Sequence, residues 1–336
     1  MKNDKITCDL GGGGRYSYDF VKDILLPIFD NPYLSRLDDG AVFDINGIRL
    51  AFSTDTFVAD PIFFPGGSIG DLAINGTVND ISMCGAQPMY ISTGLIIEEG
   101  FSMDALKIIL KDMRRSADNS NITIVTGDTK VVPKGAVDKI FINTSGVGVV
   151  YEDIIVSCSN AKPGDKIILS GTIGDHGIAM LTGRKEIEFE TKIKSDTASL
   201  CNMVKNILPF GQYIHVLRDP TRGGAGTVLN EIALKSEVGI LFDEEKIPIK
   251  KEVAGICEIL GLDPLYIANE GKVILVVESD AASEILASVK KDPFGADAAI
   301  IGEIVSDVPG QVIMKTRIGG KRIVDMLSGE QLPRIC

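Results

Sequence analysis

The hydrophobic positions of the chain follow two periods, one typical of helices and one typical of strands. Between residues 103 and 117 apolar residues recur every three or four positions, which predicts an amphipathic helix. Residues 41–45 and 48–52 are apolar runs on either side of Asn46-Gly47, which predicts a hairpin with a two-residue turn. Further helices are predicted over residues 16–29, 66–86, 175–181, 196–207, 221–235, 253–260 and 281–290, and strands over 89–97, 122–126, 139–150, 166–170, 239–242, 272–278, 298–305, 311–315 and 321–324.

The order of these elements divides the chain into two halves of similar content. Both halves mix hairpins with strand–helix alternation, which predicts an α/β (mixed α+β) fold. A chain of 336 residues is long enough for two domains, and Lys-Pro-Gly-Asp at 162–165 predicts the turn between them. We expect a glycine-rich segment and helix over residues 1–37, an α/β domain over 38–155, a second over 161–324 and a mobile tail over 325–336.

The charge and the apolar runs exclude several classes of partner. With 46 acidic against 34 basic residues the formal net charge is −12, which argues against nucleic acid and against anionic lipid surfaces. Nucleotides remain compatible with this charge, because metal ions and backbone amides can hold phosphates. The N-terminus lacks the apolar core of a signal peptide, and no apolar run approaches the ~20 residues of a membrane span. We therefore expect a cytoplasmic protein without a membrane partner.

A run of glycines, Gly11 to Gly14, stands just before the first predicted helix. Glycines let the backbone approach a phosphate, and the start of a helix favours anions. Gly12 and Gly13, in the middle of the run, are candidate phosphate contacts. The run is not a Walker A motif, since no Lys-Ser/Thr follows it. A flexible N-terminal segment is the alternative interpretation.

Acidic residues beside small residues form a second candidate set. Asp55 and Asp128 each follow an apolar strand, and ligands of α/β sheets bind at the carboxyl ends of strands. Mg²⁺ prefers carboxylates, water and phosphate oxygens, so the set indicates a magnesium–nucleotide site. Lys130, two residues after Asp128, has the charge to neutralise a phosphate. Solvated loop acids are the alternative. The candidates are Asp38, Asp39, Asp55, Asp80 and Asp128.

Two arginines flank a predicted helix start, in Arg218-Asp219-Pro220-Thr221-Arg222. Asp219 is predicted to cap the helix and Pro220 to occupy its first turn. Arg218 and Arg222, beside free helix amides, are suited to hold an anion. A capped turn with surface arginines explains the same residues equally well.

Glu270 lies in Asn-Glu-Gly-Lys, between a short apolar stretch and a predicted strand. A partly buried carboxylate at this position would serve as a general base. A turn at the entrance of a strand is the simpler interpretation. His176 and His215 have no Cys or Ser partner at a spacing that indicates a catalytic pair, so we interpret both as structural.

The chain ends in Leu-Pro-Arg-Ile-Cys, with Cys336 as its last residue. A thiolate is a nucleophile, and Arg334 would favour that form while the terminal carboxylate opposes it. The motif is not a prenylation signal, which needs its cysteine four residues from the end. The alternative is a frayed terminus with an incidental thiol.

Taken in order, these motifs resemble the HypE family of hydrogenase maturation factors, within the PurM-like superfamily. The resemblance runs from Gly11 to Cys336 and implies a PurM-like two-domain ATP-binding fold, with a homodimer built through the N-terminal sheets. The superfamily also includes aminoimidazole ribonucleotide synthetase, selenophosphate synthetase and thiamine-phosphate kinase. The matching motifs include GGGGR, LDDGA, TGDTKVV, GDHG, LRDPTRGG, ANEGK and the terminal LPRIC.

The resemblance implies a carbamoyl dehydratase. A HypF-like carbamoyltransferase would place a carbamoyl group on Cys336, and this protein would use ATP to dehydrate the thiocarboxamide to a thiocyanate. The cyano group would then pass to iron held by a HypC/HypD-like scaffold complex, for the [NiFe]-hydrogenase centre. The alternatives are another ATP-dependent synthetase or kinase of the superfamily, and a thiol carrier that does not turn over ATP.

The resemblance also implies roles for the candidate residues. Cys336 carries the substrate group, Glu270 is the general base and Lys130 neutralises phosphate charge. The implied magnesium ligands are Asp55, Asp80 and Asp128. The remaining implied contacts to ATP-Mg²⁺ are Asp38, Asp39, Gly12, Gly13 and Arg222.

Overall fold

The structure is a computed structural model that describes residues 5–184, 191–329 and 331–336. It confirms the mixed α/β fold, with one large sheet in each half of the chain and a small two-stranded sheet, β3-β4, in the N-terminal half. No helix in these described ranges is long and apolar enough to cross a membrane. The helices are α1 Arg15–Phe20, α2 Leu26–Phe29, α3 Ile69–Met83, α4 Met103–Asn119, α5 Asp175–Thr182, α6 Cys201–Ile207, α7 Gly224–Lys235, α8 Lys251–Leu260 and α9 Ala282–Val289, with a π-helical segment, Val21–Leu25, between α1 and α2.

The N-terminal sheet has five strands in the order β1-β2-β7-β5-β6. Helices α3 and α4 pack on one face, while alternate residues on the other face are exposed, so we call this second face the open face. Strand β6 is the edge strand and pairs in parallel with β5. The strands of this half are β1 Ala41–Ile45, β2 Ile48–Phe57, β3 Phe63–Phe64, β4 Gly67–Ser68, β5 Ala86–Glu98, β6 Thr123–Val132 and β7 Ile140–Val150.

The predicted hairpin is confirmed between β1 and β2, with Ile45 opposite Ile48. Asn46 and Gly47 both have positive φ, 55° and 85°, as a type I′ turn requires. Helix α3 begins at a capping box, in which the Asp71 carboxylate accepts the backbone N–H of Ser68.

The C-terminal sheet has seven strands in the order β14-β13-β10-β12-β8-β11-β9. Helix α7 covers one face and helices α6 and α9 cover the other, so the central strands β8 and β11 are buried on both sides. These strands are apolar runs for that reason. The strands are β8 Lys166–Leu169, β9 Ile214–Arg218, β10 Gly239–Asp243, β11 Ile274–Val277, β12 Ala299–Val305, β13 Val312–Lys315 and β14 Lys321–Ile323.

The tail, predicted as a mobile arm, is docked in this structure. Leu332, Ile335 and Cys336 are buried in the same apolar cluster as residues of β2, α3 and α5. The reason is that these three side chains pack into the space between the two domains, and the backbone groups of the tail find partners there. Undocking of the tail stays a prediction.

Three of the local predictions around the site were wrong. Helix α7 begins at Gly224, not at Pro220, because Gly223 is the N-cap with φ 79° and residues 219–222 form a turn that belongs to the site. Asp55 and Asp128 lie inside β2 and β6 rather than after them, since Ser and Thr pair well on an open sheet face. Strand β9, which precedes Asp219, was not predicted at all.

Candidate active site

Three aspartates from three elements meet at the boundary between the two domains. Asp39 precedes β1, Asp80 lies in the last turn of α3, and Asp219 directly follows β9. One carboxylate oxygen of each lies within 4.8 Å of the others, which makes them a candidate metal site. A set of hard oxygen ligands suits Mg²⁺, which also keeps waters and phosphate oxygens in its coordination shell.

Burial destabilises the charged form of the three carboxylates in this cluster. Desolvation raises the pKa of Asp39 and of Asp80 well above the usual carboxyl range, and the neighbouring aspartates raise both further. Burial likewise raises the pKa of Asp219 to about 6. Three acids held this close at a largely buried site fit a divalent cation, because the ion offsets their mutual repulsion.

Arg218 and Ser53 hold the cluster in place. The Arg218 guanidinium contacts Asp39 at 2.7 Å and Glu231 at 2.8 Å, and both contacts are largely buried. The Ser53 hydroxyl donates to Asp80 at 2.7 Å. Asp38 turns away from the cluster and accepts the backbone N–H of Cys158 at 3.1 Å, so it ties this loop to the C-terminal domain.

A cavity of about 570 Å³ opens beside the acid cluster. This volume falls within the range of small-molecule sites. Helix α1 and the glycine run form one wall, and the start of β1 with β2 forms the other. Its lining includes Gly13, Gly14, Tyr18, Tyr33, Asp38, Asp39, Thr54 and Arg222.

The glycine run packs directly on Arg222. Gly13 has φ 77°, and a Cβ there would lie 2.9 Å from the backbone carbon of Arg222, so only glycine fits this approach. The Arg222 guanidinium donates to the Gly11 carbonyl at 3.0 Å. Gly12, next to Gly13, is buried. The run is thus an ordered wall of the cavity.

Backbone hydrogen bonds fix the last residues of the tail to both domains. On the N-terminal side, Val58 N–H donates to a main-chain carboxylate oxygen of Cys336 at 3.0 Å and Asp60 N–H to the Arg334 carbonyl at 2.9 Å. On the C-terminal side, His176 Nε2 lies 2.7 Å from the Ile335 carbonyl. Cys336 is 8% exposed.

Arg222 connects the docked tail with the acidic residues. Cys336 is the strongest influence that raises the pKa of Arg222, followed by Asp55 and Glu270 against the opposing effect of burial. The guanidinium lies 4.0 Å from the Asp55 carboxylate. Asp55 itself has a raised pKa, caused by burial. The charge of Arg222 therefore interacts both with the terminal cysteine and with the carboxylates.

Glu270 is buried at the same boundary, at 4% exposure. Burial raises the pKa of its carboxyl group well above the usual value, and Asp55 and Asp219 raise it further. Its backbone N–H donates to Asp196 at 3.1 Å, and its carbonyl accepts from Asn79 at 3.3 Å. A buried carboxyl group with a raised pKa, on a backbone held at two points, is suited to general-base chemistry near neutral pH.

Asp128 and Lys130 are not brought to this site within one chain. Asp128 is in register with Gly94 of β5, which stands opposite Asn143 of β7, so it lies on the open face and roughly 14 Å from β2. The two side chains form an exposed ion pair at 2.7 Å, and Lys130 lowers the pKa of Asp128.

The structure gives Arg218 and Asp219, which the sequence predicted to hold an anion and to cap a helix, different roles in the site, and it adds Asn79 and Asp196. Asp219 joins the acid cluster, Arg218 pairs with Asp39, and Asn79 and Asp196 fix the backbone of Glu270. The signal for Asp219 was present, because Ile-His-Val-Leu-Arg alternates like a half-buried strand and a ligand is expected at its carboxyl end.

Two domain models of a known protein family match this chain and establish its class of protein. The N-terminal domain model of AIR synthase related proteins matches residues 37–150, and the corresponding C-terminal domain model matches residues 162–315. Together with the acid-lined cavity between two mixed sheets, these matches define a PurM-like protein.

The relatives then establish the family. The carbamoyl dehydratase HypE of Bradyrhizobium diazoefficiens is 48% identical over 337 residues, which cover 100% of this chain and 97% of that protein. The crystal structure of a HypE–HypF complex aligns with a TM-score of 0.88 at 48% identity, over 92% of this chain and 99% of its counterpart. A HypE crystal structure in complex with ATP aligns with a TM-score of 0.83 at 48% identity, over 99% and 100%. The chain belongs to the HypE family of carbamoyl dehydratases.

Proposed function

We propose that this protein uses ATP to dehydrate a carbamoyl group, carried as a thiocarboxamide on its own Cys336, to a thiocyanate. The observation that carries the proposal is the docking of Cys336 between the two domains, next to Arg222 and at the same boundary as Glu270 and the acid cluster. The ATP complex of a 48% identical HypE supports ATP as the co-substrate.

The proposed reaction removes one oxygen and two protons from the carboxamide. Its oxygen attacks the γ-phosphorus of ATP, and ADP leaves. The C–O bond then breaks with release of phosphate, while both N–H protons pass to bases and the nitrogen forms the nitrile. Phosphorylation is needed because hydroxide is a poor leaving group from carbon, whereas phosphate is a good one.

Glu270 and Arg222 suit two of the tasks in this reaction. Glu270 in its ionised form takes a proton from the carboxamide nitrogen, and its raised pKa makes it a stronger base than an ordinary carboxylate. Arg222 supplies positive charge between Cys336 and the phosphates, where negative charge develops. Mg²⁺ held by Asp39, Asp80 and Asp219 would neutralise charge on the phosphates, and Asp55 lies close enough to support it.

The cavity fits the nucleotide in one orientation. Tyr18, Val21, Tyr33 and Leu34 make one end apolar and aromatic, which suits a purine base. Gly13, Gly14 and Arg222 line the cavity next to the start of α1, which suits phosphates. This orientation directs the γ-phosphate toward Cys336.

We further propose that a second copy of the chain covers the open face and brings its Asp128 and Lys130 to the nucleotide. Apolar side chains on this face are exposed, among them Tyr90 at 45% and Ile96 at 41%, and an exposed apolar sheet of this kind favours an interface. Thr54 faces the same side and lines the cavity, so a partner chain there would reach the phosphates.

Two protein partners complete the proposal. A carbamoyltransferase places the carbamoyl group on Cys336, and the HypE–HypF complex of a similar protein supports a partner of that kind. Iron-holding scaffold proteins of the HypC/HypD type accept the cyano group. Both steps require the tail to leave its docked position, since Cys336 is buried when docked.

The test is the intact mass of the C-terminal peptide after incubation with the carbamoyltransferase, carbamoyl phosphate and ATP-Mg²⁺. A parallel tube contains a non-hydrolysable ATP analogue, and a third contains Cys336→Ala. We expect a carbamoyl adduct on Cys336 with the analogue, a cyano adduct with ATP, and neither with the alanine variant.

The outcomes separate the three candidate functions. A variant without Cys336 that still forms thiocyanate would refute the role of the tail. If an active transferase modifies Cys336 in neither tube, the protein is another synthetase or kinase of the superfamily. A carbamoyl adduct that ATP never converts would indicate a thiol carrier.

A further inference from the structure

We propose that His176 is a positioning residue that holds the terminal cysteine in the active site by a hydrogen bond from its ring to the Ile335 carbonyl. The inference rests on the function proposed above and adds a specific device to it. His176 is the second residue of α5, in the motif Gly-Asp-His-Gly, and is fully buried. From the sequence alone this residue is interpreted as a structural histidine.

The hydrogen bonds of the ring determine which nitrogen carries the proton. Nε2 lies 2.7 Å from the Ile335 carbonyl oxygen, which can only accept, so Nε2 is the protonated nitrogen. Nδ1 lies 2.8 Å from the Ser195 hydroxyl. Burial lowers the pKa of His176, which keeps the ring neutral, so Nδ1 accepts the Ser195 proton.

Ser195 is itself fixed, so the ring has one orientation. Its backbone N–H donates to the Pro65 carbonyl at 2.7 Å, and its hydroxyl oxygen accepts the Thr197 N–H at 3.0 Å. Phe64 packs its ring at 90° to the imidazole, with 5.7 Å between centroids. The donor therefore points at the tail without rearrangement.

The position of this bond explains why a histidine stands there. The Ile335 carbonyl directly precedes the reactive residue, and Val58 in the other domain donates its backbone N–H to a main-chain carboxylate oxygen of Cys336. Two bonds from opposite sides thus fix the peptide that carries the thiol. The tail contributes only backbone atoms to both bonds, so neither of them uses the thiol.

The first experiment measures alkylation of Cys336 by iodoacetamide in the full-length protein, without ATP or partners. His176→Phe keeps a flat ring and removes the donor, whereas His176→Gln keeps an N–H donor of similar reach. His215→Gln is the matched control, since His215 contacts Asp165 instead of the tail. Exposed Cys8 reports the intrinsic reaction rate and buried Cys257 reports global unfolding.

We expect His176→Phe to raise the Cys336 rate about fivefold relative to Cys8, the effect of one lost neutral hydrogen bond. His176→Gln should stay within about twofold of wild type, and the control should not change. If Cys257 reacts in His176→Phe, that variant has unfolded, and Ser195→Ala becomes the test because it frees the ring to turn. A Cys336 rate that none of these folded variants changes would overturn the proposal.

The second experiment tests whether His176 orients Cys336 for the reaction or only holds the tail in the site. In single-turnover dehydration of carbamoylated protein, His176→Phe should lower the maximal rate by about twofold or more and leave the ATP concentration at half-maximal rate unchanged, with recovery in His176→Gln. An unchanged maximal rate would overturn positioning. If wild type forms no thiocyanate, the proposed function fails, while the alkylation result still decides whether His176 holds the tail.

Discussion

Replacing Asp80 by asparagine should stabilise the protein in the absence of divalent cations. The substitution removes one charge from the acid cluster and keeps an oxygen that can accept the Ser53 hydroxyl, now 2.7 Å from the Asp80 carboxylate. It leaves the shape of the side chain almost unchanged. Any change in stability therefore reports charge.

The size of the expected gain in stability follows from the distance between the carboxylates. Two unit charges at the 4.8 Å that bounds this cluster repel by about 3.5 kcal/mol at an effective dielectric constant of about 20. Asp39 and Asp80 are partly exposed, and partial protonation relieves the repulsion further. We expect a net gain on the order of 1–2 kcal/mol, or about 2–4 °C in Tm.

The assay is thermal unfolding in EDTA and in MgCl₂, with Asp307→Asn as the control. Asp307 is an exposed aspartate in the turn after β12. Asp80→Asn should raise Tm in EDTA and lose the increase that MgCl₂ gives wild type, while the control should behave as wild type. If Asp80→Asn lowers Tm in EDTA and keeps the full response to Mg²⁺, the cluster is not the cation site.

Three further predictions concern the base, the open face and pH. Glu270→Gln should retain ATP binding by calorimetry and slow single-turnover dehydration on the order of 100-fold; an unchanged rate would remove Glu270 as the base. Ile96→Glu should give a monomer by light scattering and abolish dehydration, whereas Ile318→Glu, at a position 96% exposed, should do neither. His176 has a lowered pKa in the fold despite the opposing charge of Asp196, so it binds its proton more readily when unfolded. The contribution of neutral His176 to stability is complete above about pH 6.5 and is lost as pH falls. Between pH 7 and 5 the Tm of His176→Gln should therefore fall less steeply than that of wild type. Equal slopes of Tm against pH would contradict the lowered pKa of His176.

Local sequence signals predicted the elements that local interactions determine. The Asn46-Gly47 turn needs two positive φ angles, and α4 follows from its apolar period alone. The site was harder to predict from the sequence. Asp39, Asp80 and Asp219 are far apart in the chain and meet only through the packing of the two domains. A pattern within one segment carries no information on such a meeting.

Asp128 and Lys130 show a second reason why the site could not be predicted from the sequence. Their motif suggested proximity to Asp55, but side chains alternate between the two faces of a strand, and the register places Asp55 and Asp128 on opposite faces. Which face a polar strand residue takes depends on what covers the sheet. The sequence of one chain does not contain that information when a second copy is the cover.

The docked tail also limits how the proposed system responds to the concentration of its partners. One thiol, 8% exposed when docked, can occupy either its own site or that of another protein, but not both. A partner that binds the undocked tail tightly therefore competes with dehydration, even when it supplies the substrate group. Product formation should rise with transferase concentration, pass through a maximum and then decline, so the ratio of the two proteins regulates flux without any effector.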